Sequence, residues 1–292
     1  MRADLYICHD TFSYNGNDSS EEIKQKLLEF KELIEKIRDY KEDNVLHAVK
    51  EKLFNTIIDQ EGITIKDFFE NQTLIKSKYG LDILKIVLTA FKYCHNCIAT
   101  FSDLEEYLEL ESESECNALL VLNKIPNIEN GIQVIANVKG WLNFRRHFLI
   151  KYPKEKEYFI NELTKYFPGL IINPNVVSII DDVWHTHTRQ IVIYLSILEE
   201  NLLPDLKKFK GDFIQFLDWF ARNYHFDGAS FEGKKDKKFL CTFNNGNSFY
   251  CEPHLKMYKD DNGNKGQHCR IYFKAPANGE SSIYIGYICS HL

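Results

Sequence analysis

The stretch Phe249–Leu292 decides the expected fold, because it carries three short runs of alternating polar and apolar side chains. It reads Phe249-Tyr-Cys-Glu-Pro-His-Leu-Lys-Met257, then His268-Cys-Arg-Ile-Tyr-Phe273, and finally Ile283-Tyr-Ile-Gly-Tyr-Ile-Cys-Ser-His-Leu292. Alternation with a period of two residues is typical of a β-strand with one buried face. The stretch therefore predicts a small antiparallel sheet at this end of the chain.

The alternation also predicts which side chains share a face of the sheet. If the strands pair antiparallel, ionisable and aromatic groups of the first two runs meet on one surface, while Cys251, Leu255 and Ile271 point to the other. The alternative is a solvated sheet face that binds nothing. The polar face would carry Tyr250, Glu252, His254, Lys256, Arg270, Tyr272 and Lys274.

Turn sequences separate the predicted strands and help to place a domain boundary. Asn244–Asn247 would join strands at 239–243 and 248–257, since Asn and Gly accept a positive φ, and Asn278-Gly279 would form a later turn. Seven of the fourteen glycines lie in residues 227–292. We therefore expect an α+β protein, with a mostly helical N-terminal body (1–226) and a C-terminal four-stranded antiparallel sheet (227–292).

Helical periodicity of apolar residues dominates the predicted body. Leu5–Cys8 is expected to form a short strand, and Ser19 or Ser20 is expected to cap a helix that ends near Tyr40. Pro204 is expected to start the last helix of the body, which reaches Tyr224. Further helices are predicted at residues 44–58, 81–94, 116–124, 131–151, 155–167 and 176–203.

Composition narrows the class of protein. The chain is 44% hydrophobic and 14% aromatic, which is typical of globular proteins and excludes a disordered one. It has no apolar run long enough for a membrane span and no signal-peptide pattern at its start. Its eight cysteines lack a dense spacing framework, which favours a reducing compartment. We expect a cytoplasmic protein without a membrane partner.

Charge is distributed unevenly along the chain. The net charge is −6, yet residues 227–292 hold nine Lys/Arg and seven Asp/Glu, a balance of +2, so that residues 1–226 carry −8. A basic tail favours an anionic ligand such as RNA or another nucleic acid. The acidic body would bind a protein partner, such as an antitoxin.

Three motifs of the tail resemble the end of the RelE/ParE superfamily of bacterial toxins, most closely its YoeB-type ribonuclease branch. They are Glu252-Pro-His-Leu-Lys256, His268-Cys-Arg-Ile-Tyr272 and the closing Ser290-His-Leu292. In that branch a Glu-Pro-Leu-Lys run precedes a strand with His-Arg-Leu-Val-Tyr, and the chain ends in His-Tyr. In this chain, His254 and Cys269 are extra residues within the motifs.

The resemblance implies a role for individual residues and for the protein. Glu252 would be the acid or base, Arg270 the phosphate-binding cation, His291 the terminal catalytic imidazole and Lys256 a flanking cation. The protein would be a bacterial toxin or antiphage-defence effector with endoribonuclease activity.

The chemistry of the polar face agrees with that expectation. RNA carries its own nucleophile, the 2′-hydroxyl, so a carboxylate or imidazole such as Glu252 or His254 would remove its proton while a second group protonates the leaving oxygen. Arg270 would stabilise charge on the phosphate, so the reaction needs no metal or other cofactor. Substrate binding is assigned to Tyr250 and Tyr272, which would stack on a base, and to Lys274.

Two details of the last strand bear on this hypothesis. Strict alternation puts His291 on the face of Ile283 and Ile285, so a bulge or a strand end near Cys289 must turn it towards the site. Gly286 would leave room for a ligand to approach closely.

Other functions compete. Cys251, His254, His268, Cys269, Cys289 and His291 offer soft ligands for zinc, although their spacing matches no standard finger. A strand followed by Asp10-Thr11 resembles the start of a PIN-like nuclease, in which Asp10 would bind a metal with a later carboxylate such as Glu115 or Asp181; otherwise Asp10 caps a turn. A non-catalytic module that binds protein or nucleic acid is the rival to any enzyme.

Overall fold

The chain divides into two compact units, Met1–His147 and Phe148–Leu292. This architecture comes from a computed structural model, which describes residues 2–40, 44–98, 106, 108, 115–123, 131–176, 180, 183–277 and 279–292. The domain boundary expected near residue 226 lies inside the second unit. Asp181 and Asn278, both named in the sequence predictions, lie outside the described residues.

The first unit is built on a five-stranded parallel sheet with the strand order β3-β2-β1-β4-β5. The strands are β1 (Arg2–Ile7), β2 (Asn44–Ala48), β3 (His95–Asn96), β4 (Glu115–Leu120) and β5 (Val134–Ile135). The helices are α1 (Ser20–Asp39), α2 (Lys50–Phe54), α3 (Asp67–Glu70), α4 (Gln72–Tyr79), α5 (Leu81–Tyr93) and α6 (Val138–Lys151), which crosses into the second unit.

Several local predictions for the first unit are confirmed. The strand expected at Leu5–Cys8 is present as β1. Ser19 caps α1 in a capping box, since its hydroxyl accepts from the Glu22 N–H and the Glu22 carboxylate accepts from the Ser19 N–H. The helix expected at residues 81–94 is α5.

The α+β class predicted for the whole chain is wrong, because the N-terminal body contains a parallel sheet. Residues 44–58 begin with strand β2, and 116–124 contain most of strand β4, where a helix was expected in each case. Strand β4 is buried on both faces, and a strand covered on both sides is apolar without alternation. Such a short apolar run cannot be told from a helix by its periodicity. The molecule is an α/β protein.

The second unit has a mixed five-stranded sheet with the order β6-β12-β11-β10-β7. Its strands are β6 (Leu170–Ile172), β7 (Gly228–Ser230), β10 (His254–Lys259), β11 (Lys265–Phe273) and β12 (Ile283–Cys289). A separate hairpin pairs β8 (Leu240–Thr242) with β9 (Ser248–Tyr250). The helices are α7 (Lys156–Tyr166), α8 (Trp184–Lys208) and α9 (Phe213–Asn223).

The helices of this unit cover one face of the mixed sheet. Leu255, Ile271 and Ile285 of the sheet share a core with the helix residues Leu163, Leu195, Leu198 and Phe220. The opposite face meets the β8–β9 hairpin, through a group that contains Phe239 and Tyr272 and another that contains Cys241 and Cys251. Part of that second face stays uncovered.

The tail confirms some of the predicted pairing but not the predicted sheet. Hairpin β8–β9 and the antiparallel pairs β10–β11 and β11–β12 are as expected. The predicted four-stranded antiparallel sheet is wrong, because β6 joins β12 in parallel and β7 joins β10. The expected strand 248–257 breaks at Cys251–Pro253, so its two halves belong to different sheets.

Two predictions in the helices of the second unit are also corrected. Pro204 lies inside α8 rather than at the start of a helix. The helix expected at 176–203 begins at Trp184 and continues to Lys208, with a kink at His187, whose backbone angles are non-helical. Across the helices in the described part of the chain, none is both long and apolar enough to cross a membrane.

Candidate functional site

A cavity of about 320 Å³ lies on the face of the mixed sheet that the helices leave uncovered. The polar side chains of β10 and β11 form its floor, and the segment from Phe231 to Lys238 forms a wall. It collects all five predicted catalytic residues and Tyr272. The lining residues are Ser230, Glu232, Lys234, Asp236, Lys238, Phe239, Glu252, His254, Lys256, Arg270, Tyr272, His291 and Leu292.

Strand register places two cations side by side in this cavity. Lys256 lies directly opposite Arg270, and His254 lies opposite Tyr272. Like charges at directly opposite positions of a sheet destabilise it. Among the described residues no carboxylate forms an ion pair with Lys256 or Arg270, although Glu232 lies near enough for the charge of Lys256 to help lower its pKa. An anionic ligand would offset the repulsion.

The last strand reaches the cavity through a β-bulge. Tyr272 pairs with Tyr287 whereas Phe273 pairs with Ile285, so Gly286 is an extra residue. The bulge exchanges the two faces of β12: Ile285 joins the helix-side core, and Tyr287 lies on the cavity side with Cys289 and His291. The predicted strand end at Cys289 is present, and a bulge lies three residues before it.

The sequence suggested that Gly286 leaves room for a ligand, but the structure gives this glycine another role. A Cβ atom at this position would lie 2.4 Å from the Cys251 Cβ and 2.8 Å from the Cys241 Sγ. Both cysteines are buried in the hairpin contact. The missing side chain makes room for the β8–β9 hairpin instead.

Glu252 lines the cavity, but its carboxylate is held by backbone amides of the wall segment. Its carboxylate accepts hydrogen bonds from the N–H groups of Glu232, at 3.0 and 3.2 Å, and Gly233, at 3.0 Å. The residue is only 4% exposed. These bonds fix the backbone of the wall segment, whose lysines line the cavity.

His254 is fixed in a single tautomer by its neighbour. Its Nδ1 lies 3.0 Å from the backbone carbonyl of Glu252, and because a carbonyl only accepts, Nδ1 carries the proton. In the neutral ring Nε2 is then the acceptor. Burial, with a smaller contribution from the nearby Lys256, Arg270 and His291, lowers the pKa of His254 to about 4, although the hydrogen bond to the Glu252 carbonyl opposes this shift. The ring is therefore neutral at pH 7.

The remaining predicted site residues differ in accessibility. Arg270 donates to the Ser290 carbonyl at 2.8 Å, which anchors the strand end that carries His291. His291 is exposed at the cavity edge. Tyr272 is 2% exposed and lies beneath the His254 ring, with centroids 4.6 Å apart, so it cannot stack on an incoming base as predicted. Its burial raises the pKa of its hydroxyl.

Tyr250 and Lys274 line a second cavity of about 290 Å³. Glu252 and Lys234 line both cavities, so the two share a wall. Tyr250 is 38% exposed. Lys274 forms an ion pair with Glu280, and its Nζ lies 4.7 Å from the centroid of the Phe249 ring. The predicted substrate-binding residues are thus divided between two places.

The sequence predictions did not include the wall segment among the site residues. Lys234 and Lys238 line the first cavity, Lys234 and Lys235 the second. The sequence does contain a signal for these lysines, since the densest basic run of the tail is Gly233-Lys-Lys-Asp-Lys-Lys238. Such runs mark anion-binding patches.

The residues of the alternative metal sites do not converge. Asp10 follows β1 at the carboxyl edge of the parallel sheet and contacts His9, whereas Glu115 begins β4 opposite Arg2, at the other edge. Cys269 faces the helices, while Cys251 packs with the hairpin. In the described ranges no group of three or more His, Cys, Asp or Glu side chains is arranged to hold a metal ion.

Comparison of the chain with protein-family models, with curated proteins and with solved structures gives no match. The likeness of the tail to the RelE/ParE toxins therefore stays a prediction that rests on the short motifs of β10, β11 and the chain end.

Proposed function

We propose that the second unit is a metal-independent endoribonuclease whose active site is the first cavity. The observation that carries this proposal is the cross-strand pair Lys256–Arg270, which lies beside the neutral imidazole of His254. Two adjacent cations without carboxylate partners suit a phosphodiester, because Arg and Lys are the side chains that bind phosphate oxygens. An imidazole next to a bound phosphate suits acid–base chemistry.

In the proposed reaction the RNA 2′-oxygen attacks the adjacent phosphorus. His254 Nε2 accepts the proton of the 2′-hydroxyl, and the P–O5′ bond breaks as the 2′-O–P bond forms. His291, in its protonated form, gives a proton to the leaving 5′-oxygen. The products are a 2′,3′-cyclic phosphate and a 5′-hydroxyl, and Lys256 and Arg270 stabilise the charge that grows on the phosphate oxygens.

Glu252 has a positioning role in this mechanism. Its carboxylate is engaged by two backbone amides and is almost fully buried. It holds the wall segment, and with it Lys234, against the cavity. The toxin resemblance gives the acid–base role to Glu252, whereas this mechanism gives the role of the base to His254.

RNA cleavage by the full-length protein tests the proposal. A single-stranded RNA labelled at its 5′ end should yield fragments that end in a 2′,3′-cyclic phosphate, in buffer containing a chelator, while DNA of the same sequence stays intact. Arg270→Ala and His254→Ala should each lower the cleavage rate at least about 100-fold. Absence of cleavage by the wild type, across RNAs of varied sequence, would contradict the proposal.

Matched variants control for general damage. Lys259→Ala and His268→Ala change exposed residues of the same two strands that do not line the cavity. Both should cleave at the wild-type rate, whereas Lys256→Ala should not. As a toxin or antiphage effector acting in the cytoplasm, the protein should also arrest bacterial growth on expression, and Arg270→Ala should relieve the arrest.

A non-catalytic binding module is the second candidate, and the state of the two central groups favours it. Both carboxylate oxygens of Glu252 already accept backbone hydrogen bonds, and a His254 pKa of about 4 makes the imidazole a weak base. This function predicts that RNA binds in the first cavity and is released uncut. The binding module would be supported if the wild type binds RNA without cleaving it and Arg270→Ala no longer binds RNA.

A further inference from the structure

The second cavity differs in chemistry from the first, although they share a wall. Its lining includes Phe231, Phe249, Tyr250 and Pro253. Its cation Lys274 is already paired with Glu280 and lies over the Phe249 ring. Lys234 is paired with Glu232. The first cavity therefore offers a cross-strand cation pair without an ion-pair partner in the described residues, and the second offers aromatic surface in which two of the three lysines are paired with carboxylates.

Such a lining suits a planar, uncharged ring. Aromatic faces stack on nucleobases regardless of sequence, and Tyr250 is exposed enough to take part. In the described part of the chain no other aromatic ring contacts the Tyr250 ring. A volume of about 290 Å³ is at the small end for ligand pockets, which fits one base better than a larger group.

We infer that the second cavity is a nucleobase subsite, and that the ligand of the two cavities is a single-stranded nucleic acid with one base turned out of its stack. This inference rests on the proposed phosphate binding in the first cavity. The phosphodiester lies on Lys256 and Arg270, and the base of a neighbouring nucleotide enters the second cavity across the wall formed by Glu252 and Lys234. A paired duplex keeps its bases stacked inside the helix, so it binds more weakly.

Binding of two uncleavable strands to the full-length protein separates the subsites. One probe is a short labelled oligothymidylate, which lacks the 2′-hydroxyl, and the other is an abasic strand with the same number of phosphates. Tyr250→Ala should weaken binding of the oligothymidylate about tenfold, in line with the loss of one base–aromatic stack. The abasic strand should bind equally to the wild type and to Tyr250→Ala.

Tyr258→Ala is the matched control. Tyr258 is 41% exposed on β10 and lines neither cavity, so its removal should change neither affinity. Arg270→Ala should weaken both strands, because each carries phosphates. Hydrogen exchange or thermal melting of each variant checks that the fold is retained.

The outcomes distinguish the two proposals. If Arg270→Ala weakens both strands while Tyr250→Ala weakens neither, or weakens both equally, the base subsite is excluded and phosphate binding stands. If Arg270→Ala weakens neither strand, the first cavity is not the phosphate site and both proposals fall. A duplex that binds as tightly as the single strand would also overturn the inference.

Discussion

Gly286 is the glycine at which the fold has least room for an added side chain. It is the extra residue of the bulge in β12, and it lies where the hairpin cysteines approach the sheet. The same glycine therefore permits the hairpin contact and the change of face that brings His291 to the cavity. A sequence shows such a glycine but not which neighbour requires it.

Gly286→Ala should destabilise the protein. The new Cβ would lie 2.4 Å from the Cys251 Cβ, a distance that forces the strand or the hairpin to move. Overpacking of this kind costs about 1–3 kcal/mol of unfolding free energy, measured by chemical denaturation.

Gly228→Ala is the control for that substitution. Its Cβ would meet its nearest neighbour, the Tyr258 hydroxyl, at 3.4 Å, so its stability should stay within about 0.5 kcal/mol of the wild type. Removal of the Cys241 sulfur by Cys241→Ala should not rescue Gly286→Ala, because the contact with the Cys251 Cβ remains. Equal stability of the two glycine variants would mean that the hairpin does not pack against Gly286 this closely.

His254 should make the stability of the protein depend on pH. Burial lowers its folded-state pKa to about 4, below the unfolded value of about 6.5, so the unfolded state binds more protons between these two values. The contribution of His254 to the unfolding free energy is therefore fully present above pH 6.5 and is lost as the pH is lowered towards 4. The contribution is at most about 2 kcal/mol, since solvent reaches part of the ring.

His254→Gln tests this dependence. Its unfolding free energy, measured in urea from pH 4 to 7, should change less with pH than that of the wild type. Some slope should remain, because burial also lowers the pKa of His9, His147 and His187. His268→Gln, at an exposed position of β11, should keep the wild-type slope. A wild-type slope in His254→Gln would show that this ring is not neutralised by folding.

At the scale of elements, the wall segment from Phe231 to Lys238 is the part of the site that the structure holds least by packing. Among its contacts, the amides of Glu232 and Gly233 donate to Glu252, and four of its residues line the first cavity. Glu252, which lies two residues before β10, thus links the start of that strand to the segment that supplies the cavity lysines. The carboxylate therefore fixes the backbone at residues 232 and 233, while the two ends of the segment have contacts of their own, from Phe231 to Phe213 and from Lys238 to Leu292.

Glu252→Ala should loosen the wall segment without unfolding the sheet. Two N–H donors lose their acceptor, so their hydrogen exchange should accelerate at least about tenfold, and the unfolding free energy should fall by about 1–3 kcal/mol. Glu252→Gln keeps one oxygen acceptor and should show a smaller acceleration. Glu280→Ala, which removes a carboxylate from the Ala277 N–H, should leave the exchange of Glu232 and Gly233 unchanged. Unchanged exchange in Glu252→Ala would assign the carboxylate another role.

Two places in the second unit show why strand pairing was predicted correctly from the sequence in one case and wrongly in the other. Strands β11 and β12 follow each other in the chain and alternate on either side of the bulge at Gly286, so their pairing follows from local pattern. The strand expected at 248–257 contains Pro253, which cannot donate to a sheet, and the chain leaves one sheet for another there. That break moves Tyr250 away from His254 and into the second cavity, which alternation alone could not show.

At the scale of the whole molecule, pairings between distant segments were the unpredictable part. Strand β6 joins β12 from more than 100 residues away in the chain, and β4 inserts beside β1 across a similar distance. No local pattern specifies such partners. Six of the thirteen residues that line the first cavity were nevertheless among the predicted site residues, because they lie on adjacent strands or at a strand end; the wall segment was not predicted.

The charge of the chain follows the division into units. Residues 1–147 hold 18 Lys/Arg and 25 Asp/Glu, a net charge of −7, while residues 148–292 hold 18 and 17, a net charge of +1. If the protein binds a nucleic acid, these charges favour the second unit, because the net negative charge of the first unit opposes the approach of phosphates. Binding should depend on salt through the few cations of the two cavities rather than through a broad basic surface.

Salt dependence of oligonucleotide binding tests this expectation. The logarithm of the affinity should fall linearly with the logarithm of salt concentration, and each lost phosphate contact should reduce the slope by about 0.7 for a single strand. Lys256→Ala should therefore flatten the slope by that amount and weaken all sequences alike, while Lys259→Ala, three residues along the same strand, should change neither quantity. If both variants flatten the slope equally, phosphates contact the surface of β10 in general. The cross-strand pair Lys256–Arg270 is then not a specific anion site.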